Sequence, residues 1–137
     1  FSGNVGITGS LGIESQTIFN AGIHEKFATK TSATGVVTHD CSNGHIFYHT
    51  SLSGNFTANF TNLNLSTTYG TNITLVLVQG GTARYPSAVQ IDGSAQTILW
   101  QGGSPPSGTN NGTDVVSFSI LNNSGTYTVL GQLVGFS

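Results

Sequence analysis

At 137 residues the chain has the length of one domain and can bury a real core, yet only 6% of it is charged, three basic and five acidic residues, against about a quarter in an ordinary soluble domain. The net charge of −2 leaves no electrostatic footprint for nucleic acid or for an anionic lipid surface. A mixed-charge surface, the usual means by which a free monomer stays soluble, is not available to it. The chain therefore reads as one held in an assembly, or one that meets partners through a neutral face of hydroxyls and amides.

The chain begins at Phe1 and holds no methionine, and it reads as a piece cut from a longer polypeptide. No basic-then-apolar leader opens it. Residues 1–34 form the first expected unit, an extended stalk or attachment segment. Within it, Gly3-Asn4-Val5-Gly6-Ile7-Thr8-Gly9-Ser10-Leu11-Gly12-Ile13 places an apolar residue among glycines every two to four positions. One copy cannot build a core from so little. Three copies wound on a common axis can, with Val5, Ile7, Leu11 and Ile13 meeting their symmetry mates; a flexible linker is the plainer alternative. Glu25-Lys26-Phe27 leads out of it.

Residues 35–137 form the second expected unit, an antiparallel β-sandwich of the jelly-roll kind with eight or so strands and no long helix. The apolar residues alternate: Phe56, Ala58 and Phe60; Ile73, Leu75 and Leu77; Val116, Phe118 and Ile120; Tyr127, Val129 and Gly131. A period of two marks half-buried strands, and the richness in Thr, Val, Ile and aromatics suits a pleated surface. The strands Asn55–Phe60, Thr71–Gln79 and Asp114–Leu121 are expected to form the core. Turn signals recur about every ten residues, at Ser42-Asn43-Gly44, Tyr69-Gly70, Gly80-Gly81, Asp92-Gly93, Gly102-Gly103, Asn111-Gly112 and Asn122-Asn123-Ser124-Gly125. The longest apolar run, Ile73 to Val78, is broken by Thr74 and is too short to cross a bilayer.

Chemistry-bearing residues are few. His24, His39, His45 and His49 lie near one another in sequence, and His39 and Cys41 would share a strand face, so a His/Cys zinc cluster with His45 is conceivable. No Cys-x-x-Cys or His-x-His spacing supports it, and the histidines read better as satisfied residues of the aromatic strand Ile46-Phe47-Tyr48. A trimer axis could still triplicate one of them. With one cysteine, Cys41, an intrachain disulfide is excluded. The acids Glu14, Glu25, Asp40, Asp92 and Asp114 are too sparse for the facing carboxylates of a glycosidase, and Asp92 and Asp114 at turns are expected to bond their own backbone. No Gly-x-Ser-x-Gly elbow is present. The chain is therefore expected not to be an enzyme and to hold no cofactor or metal.

Six Asn-x-Ser/Thr sequons begin at Asn55, Asn59, Asn64, Asn72, Asn111 and Asn122, and a chain this rich in Asn, Ser and Thr produces them by chance. Trp100, the one tryptophan, precedes a Pro-Pro loop. It can plug the end of a sandwich core or stack on a sugar ring. Arg84-Tyr85-Pro86 is the other group that reads as exposed, so Arg84, Tyr85 and Trp100 are the candidate glycan or partner contacts.

One further pattern spans roughly residues 19–137. It is carried by Gly35-Val36-Val37-Thr38-His39-Asp40, Gly44-His45-Ile46-Phe47-Tyr48-His49-Thr50 and Asn55-Phe56-Thr57-Ala58-Asn59-Phe60. It continues in Ser87-Ala88-Val89-Gln90-Ile91-Asp92-Gly93 and most specifically in Ile98-Leu99-Trp100-Gln101-Gly102-Gly103-Ser104-Pro105-Pro106-Ser107-Gly108. Asp114-Val115-Val116-Ser117-Phe118 and Tyr127-Thr128-Val129-Leu130-Gly131-Gln132 close it. Together these resemble the C-terminal β domain of virion structural proteins of tailed marine phages, notably cyanophages, where the domain commonly follows Gly-rich repeats. The resemblance implies a non-enzymatic homotrimeric appendage on a virion: a tail fibre, a baseplate-associated part or a capsid decoration, touching other virion proteins and contributing to host attachment. It brings no catalytic residues, and Cys41 departs from the pattern. A carbohydrate-binding module is the alternative expectation. Neither implies nucleic-acid binding or membrane insertion.

Overall fold

The computed structural model describes residues 5–9, 11–31 and 34–137. Residues 1–4, 10, 32 and 33 of the expected stalk lie outside the described residues. Among the described residues ten strands account for the regular structure: β1 (Phe27–Thr31), β2 (Gly35–Asp40), β3 (Ile46–Thr50), β4 (Phe56–Thr61), β5 (Tyr69–Val78), β6 (Pro86–Ile91), β7 (Ser94–Gln96), β8 (Ile98–Trp100), β9 (Thr113–Asn123) and β10 (Thr126–Phe136). Two short 3-10 turns, Cys41–Asn43 and Gln101–Gly103, complete it, with no α-helix among the described residues. The three expected core strands lie within one or two residues of β4, β5 and β9. The Tyr69-Gly70 pair departs from expectation: it opens β5 and is paired to Asn122 and Leu121.

Two sheets share one core. The larger has the order β1-β3-β5-β9-β10-β8, the smaller β2-β4-β6-β7. Their pairing is mixed, which corrects the wholly antiparallel expectation. The first six strands alternate between the sheets, so β1, β3 and β5 lie parallel in one and β2, β4 and β6 parallel in the other. The chain winds as a two-sided coil, and the jelly-roll order does not describe it. Hairpins form where a two-residue loop takes positive φ at both positions: Asp92 and Gly93 (46° and 81°) between β6 and β7, and Ser124 and Gly125 (52° and 91°) between β9 and β10. That backbone matches the strand twist and turns the chain back on its neighbour. The other early connections cross to the opposite sheet.

The core is built by the alternation. Phe56, Ala58 and Phe60 from β4 face Ile73, Leu75 and Leu77 from β5 and Val116, Phe118 and Ile120 from β9, all at most 1% exposed. Phe60 of the small sheet meets Phe118 of the large one edge-on, ring centroids 5.6 Å apart. Each such ring contributes about 2–3 kcal/mol through burial. The sheet also reaches further back than Gly35: β1 pairs with β3 from Phe27↔Ile46 to Thr31↔Thr50. The Glu25 carboxylate accepts a hydrogen bond from the His45 amide at 2.6 Å and ties the incoming segment to the domain.

Candidate functional site

The described part of residues 5–26 contains no helix or strand. Val5, Ile7, Leu11 and Ile13, the expected attachment residues, are 50–65% exposed, and Ile18, Phe19 and Ile23 beyond them are barer still or equal. None of them belongs to the core or packs against it. Seven large apolar side chains in a row, all open to solvent in one chain, are unusual for a segment that stands alone.

Trp100 and Tyr85 come together, and Arg84 joins them only through the backbone. Trp100 ends β8 with its ring turned toward the core, 5.8 Å from Phe118 and, edge-on, 6.5 Å from Tyr85. It lies across Gly131 on β10, where a Cβ would sit 2.8 Å from Cε3 and Cζ3 of the indole. The tryptophan therefore plugs the open side of the sandwich while staying half-buried. Arg84 is held by Gln79, whose Oε1 accepts from the Arg84 amide at 2.8 Å and whose Nε2 donates to its carbonyl at 2.7 Å. A neutral cleft of about 420 Å³ runs beside the indole between the two sheets, lined by Ser87, Gln96, Ile98, Gly103 and Pro105.

His39, Cys41 and His45 do not form the conceivable three-residue cluster among the described residues. His39 on β2 and His49 on β3, both fully buried, face each other with Nε2 atoms 2.9 Å apart. His45 turns instead to Thr71, Nδ1 to Oγ1 at 3.0 Å. Burial pushes the His39 imidazole down to about 3, helped by His49 and Lys30, and burial with Lys30 takes His49 to about 4. Both rings are neutral near pH 7. Cys41 is buried, its Sγ 3.7 Å from the His39 carbonyl oxygen to which it donates. Burial, then the charges of Asp40 and Asp92, push its thiol up to about 12. No group of three His, Cys, Asp or Glu side chains able to hold a metal exists among the described residues. The signal for the His39–His49 pair was present in the alternation, since His39 follows Val37 and His49 follows Phe47 on inward positions.

The carboxylates fasten loops. Asp40 accepts from the Ser42 amide and hydroxyl and from Asn43, and through Asn62 it is linked to Asp92. Asp114, read from sequence as a turn residue, is fully buried at the start of β9. It accepts from Gln79 Nε2 at 2.7 Å and from the Thr109 amide at 3.0 Å. Gln79 thus joins Asp114 to Arg84, a clamp across three loops that residue spacing did not disclose. The Asn59 side chain accepts from the Gly93 amide. In comparisons with protein-family models, curated proteins and solved structures, none matches this chain.

Proposed function

We propose that the chain is a non-enzymatic bacteriophage virion structural protein: a homotrimeric, fibre-like, baseplate-associated or capsid-decorating appendage. The N-terminal segment attaches it, and the β domain is displayed or docked. The observation that carries the assembly part is the uncovered row from Val5 to Ile23. Burying such residues against symmetry mates recovers about 1.5–3 kcal/mol per large side chain, which one copy forgoes. The virion part rests on the resemblance to the marine-phage β domain, centred on Trp100-Gln101-Gly102-Gly103-Ser104-Pro105-Pro106-Ser107-Gly108. Its partners are capsid, tail or baseplate proteins, with a host surface glycan as a further contact, and its place is the particle surface. The experiment is the mass of the purified chain by light scattering, with antibody labelling of intact particles. A trimer and labelled particles are expected; a monomer at all concentrations sinks the assembly reading, and unlabelled particles sink the virion reading.

A second reading, a carbohydrate-binding module, draws on the uncharged cleft beside Trp100. Its Ser87 hydroxyl and Gln96 amide are the neutral groups that hydrogen-bond sugar hydroxyls, and the indole edge supplies an apolar wall. Glycan-array binding that Gln96→Ala abolishes, with the fold intact, is expected on this reading. An array with no binding counts against it.

A further inference from the structure

The outer face of the six-stranded sheet carries no charged residue. On β1, β3, β5, β9, β10 and β8 every outward position is apolar, Gly, Ser, Thr, Asn, Gln or Tyr, while the two charges of these strands, Lys30 and Asp114, occupy the inward-facing set. Six large apolar side chains stand 44–56% exposed on this one face: Phe27, Leu99, Leu121, Leu130, Val134 and Phe136. The pairing also aligns Val76, Val115 and Val134 into a row across three strands. Single exposed apolar residues are ordinary; six on one uncharged face, among neutral hydroxyls and amides, are the mark of an interaction surface.

We propose that this face is where copies of the chain meet. The inference rests on the assembly reading above and names its second contact. Three observations favour a second copy over a different protein. The face has no charges to steer or select a foreign partner, whereas a copy of itself meets it with no like-charge repulsion. At about 4.8 Å between strands and about 3.3 Å per residue the face presents roughly 700 Å² in projection, close to the about 800 Å² per partner of a stable interface. The stalk also leads straight into it, because Phe27, the first residue of β1, is itself on the face. Copies joined by their N-terminal segments hold these faces at high effective concentration around a common axis, so a modest affinity between neighbouring copies is enough.

The test uses the full chain. Leu130→Asp and Val134→Asp introduce charge at exposed positions, and circular dichroism checks the fold. Sedimentation velocity reads assembly. The expected result is a folded protein whose association is weakened by about 30-fold or more, the size of a hot-spot loss. A separate variant with Val5, Ile7, Leu11 and Ile13 all changed to Ser tests the stalk. If the face variants assemble like the parent while the stalk variant falls apart, the face inference is overturned and the assembly reading stands. A parent chain that is monomeric overturns both. Should the Asp variants misfold, a nitroxide on Ser119→Cys, a polar position of the same face, provides the reading. Dipolar broadening between copies is expected, and a spectrum of isolated labels overturns the proposal.

Discussion

His39 and His49, ten residues apart and in opposite sheets, close the inter-sheet core with a single Nε2-to-Nε2 hydrogen bond of 2.9 Å. One ring donates an Nε2–H and the other accepts, so the two must hold opposite neutral tautomers. Neither Nδ1 has a hydrogen-bond partner among the described residues. His39 also stands edge-on to Phe47 and His49 stacks on Phe56. The pair is a polar knot inside an aromatic core, with Lys30 the nearest cation, its Nζ 5.9 Å from the Phe47 ring centroid.

Acid should unfold the protein through this pair. Both rings titrate below the ordinary 6.5, near 3 and 4. As pH falls through 6.5 the unfolded chain takes up two protons that the folded one refuses, so stability is complete above that value and declines toward pH 4. Each unfolded imidazole is half-protonated at 6.5, so the loss amounts to on the order of 3 kcal/mol between pH 6.5 and 5. Asp40, held below the usual carboxylate range by Asn62 and Ser42, withdraws its contribution only at lower pH. Urea melts at pH 7.5, 6, 5 and 4.5 check this. A midpoint flat from 7.5 to 5 would contradict it.

Replacing one histidine should cost more than replacing both. His49→Leu leaves His39 with neither nitrogen satisfied and should cost about 1–3 kcal/mol at pH 7. The double change His39→Leu with His49→Leu removes donor and acceptor together from an apolar site, so it should return to within about 1 kcal/mol of the parent. The double variant should also lose the acid sensitivity between pH 6.5 and 5. A double-mutant cycle on thermal or urea unfolding measures all three terms.

Cys41 should be silent toward thiol reagents in the folded state. With its thiol raised from about 9 to about 12, the thiolate fraction near pH 8 falls roughly a thousandfold. Alkylation followed by mass spectrometry should show slow labelling in buffer and full labelling in guanidinium. Rapid labelling in buffer would mean that the loop from Asp40 to Gly44 opens readily.

The all-β character, the core strands and the inward identity of Phe56, Phe60, Ile73 and Phe118 were legible because a period of two survives any choice of neighbour. Strand pairing was not. A turn about every ten residues fits a hairpin and an arch to the opposite sheet equally well, and only the positive-φ loops at Asp92-Gly93 and Ser124-Gly125 separate them. The Asp114–Gln79 clamp was hidden for a related reason, since its members are 35 residues apart and meet through the β5–β9 pairing. Trp100 was legible as a core plug, but the Gly131 that makes room for it lies on a strand whose neighbour only the topology reveals.

That last contact is open to a two-residue test. Gly131→Ala places a methyl 2.8 Å from the indole and should cost about 1–3 kcal/mol by overpacking. Trp100→Ala removes the ring from Phe118 and Tyr85 and should cost about 2–4 kcal/mol, less than a fully buried aromatic. Ile98 Cγ2 lies 2.9 Å from the same methyl position, so losing the ring relieves only part of the clash, and adding Gly131→Ala to Trp100→Ala should cost less than it costs in the parent. Additive losses in thermal melts would show that the glycine serves something other than the tryptophan.

Assembly should be indifferent to salt. The surfaces proposed to join copies, the row from Val5 to Ile13 and the outer face of the large sheet, carry no charge, so screening has nothing to act on. Ion pairs between exposed groups weaken as the Debye length shrinks from about 10 Å at 0.1 M to about 3 Å at 1 M, whereas apolar burial is strengthened by excluded salts such as sulfate. Sedimentation in sodium chloride from about 0.05 to 1 M should change the dissociation constant by less than about twofold, and sodium sulfate should tighten it. The same holds for attachment to a particle through these surfaces. Release of the protein on a modest rise in ionic strength would place the contact on Glu14, Glu25, Lys26 or Arg84 instead, and would move the interface off the sheet face.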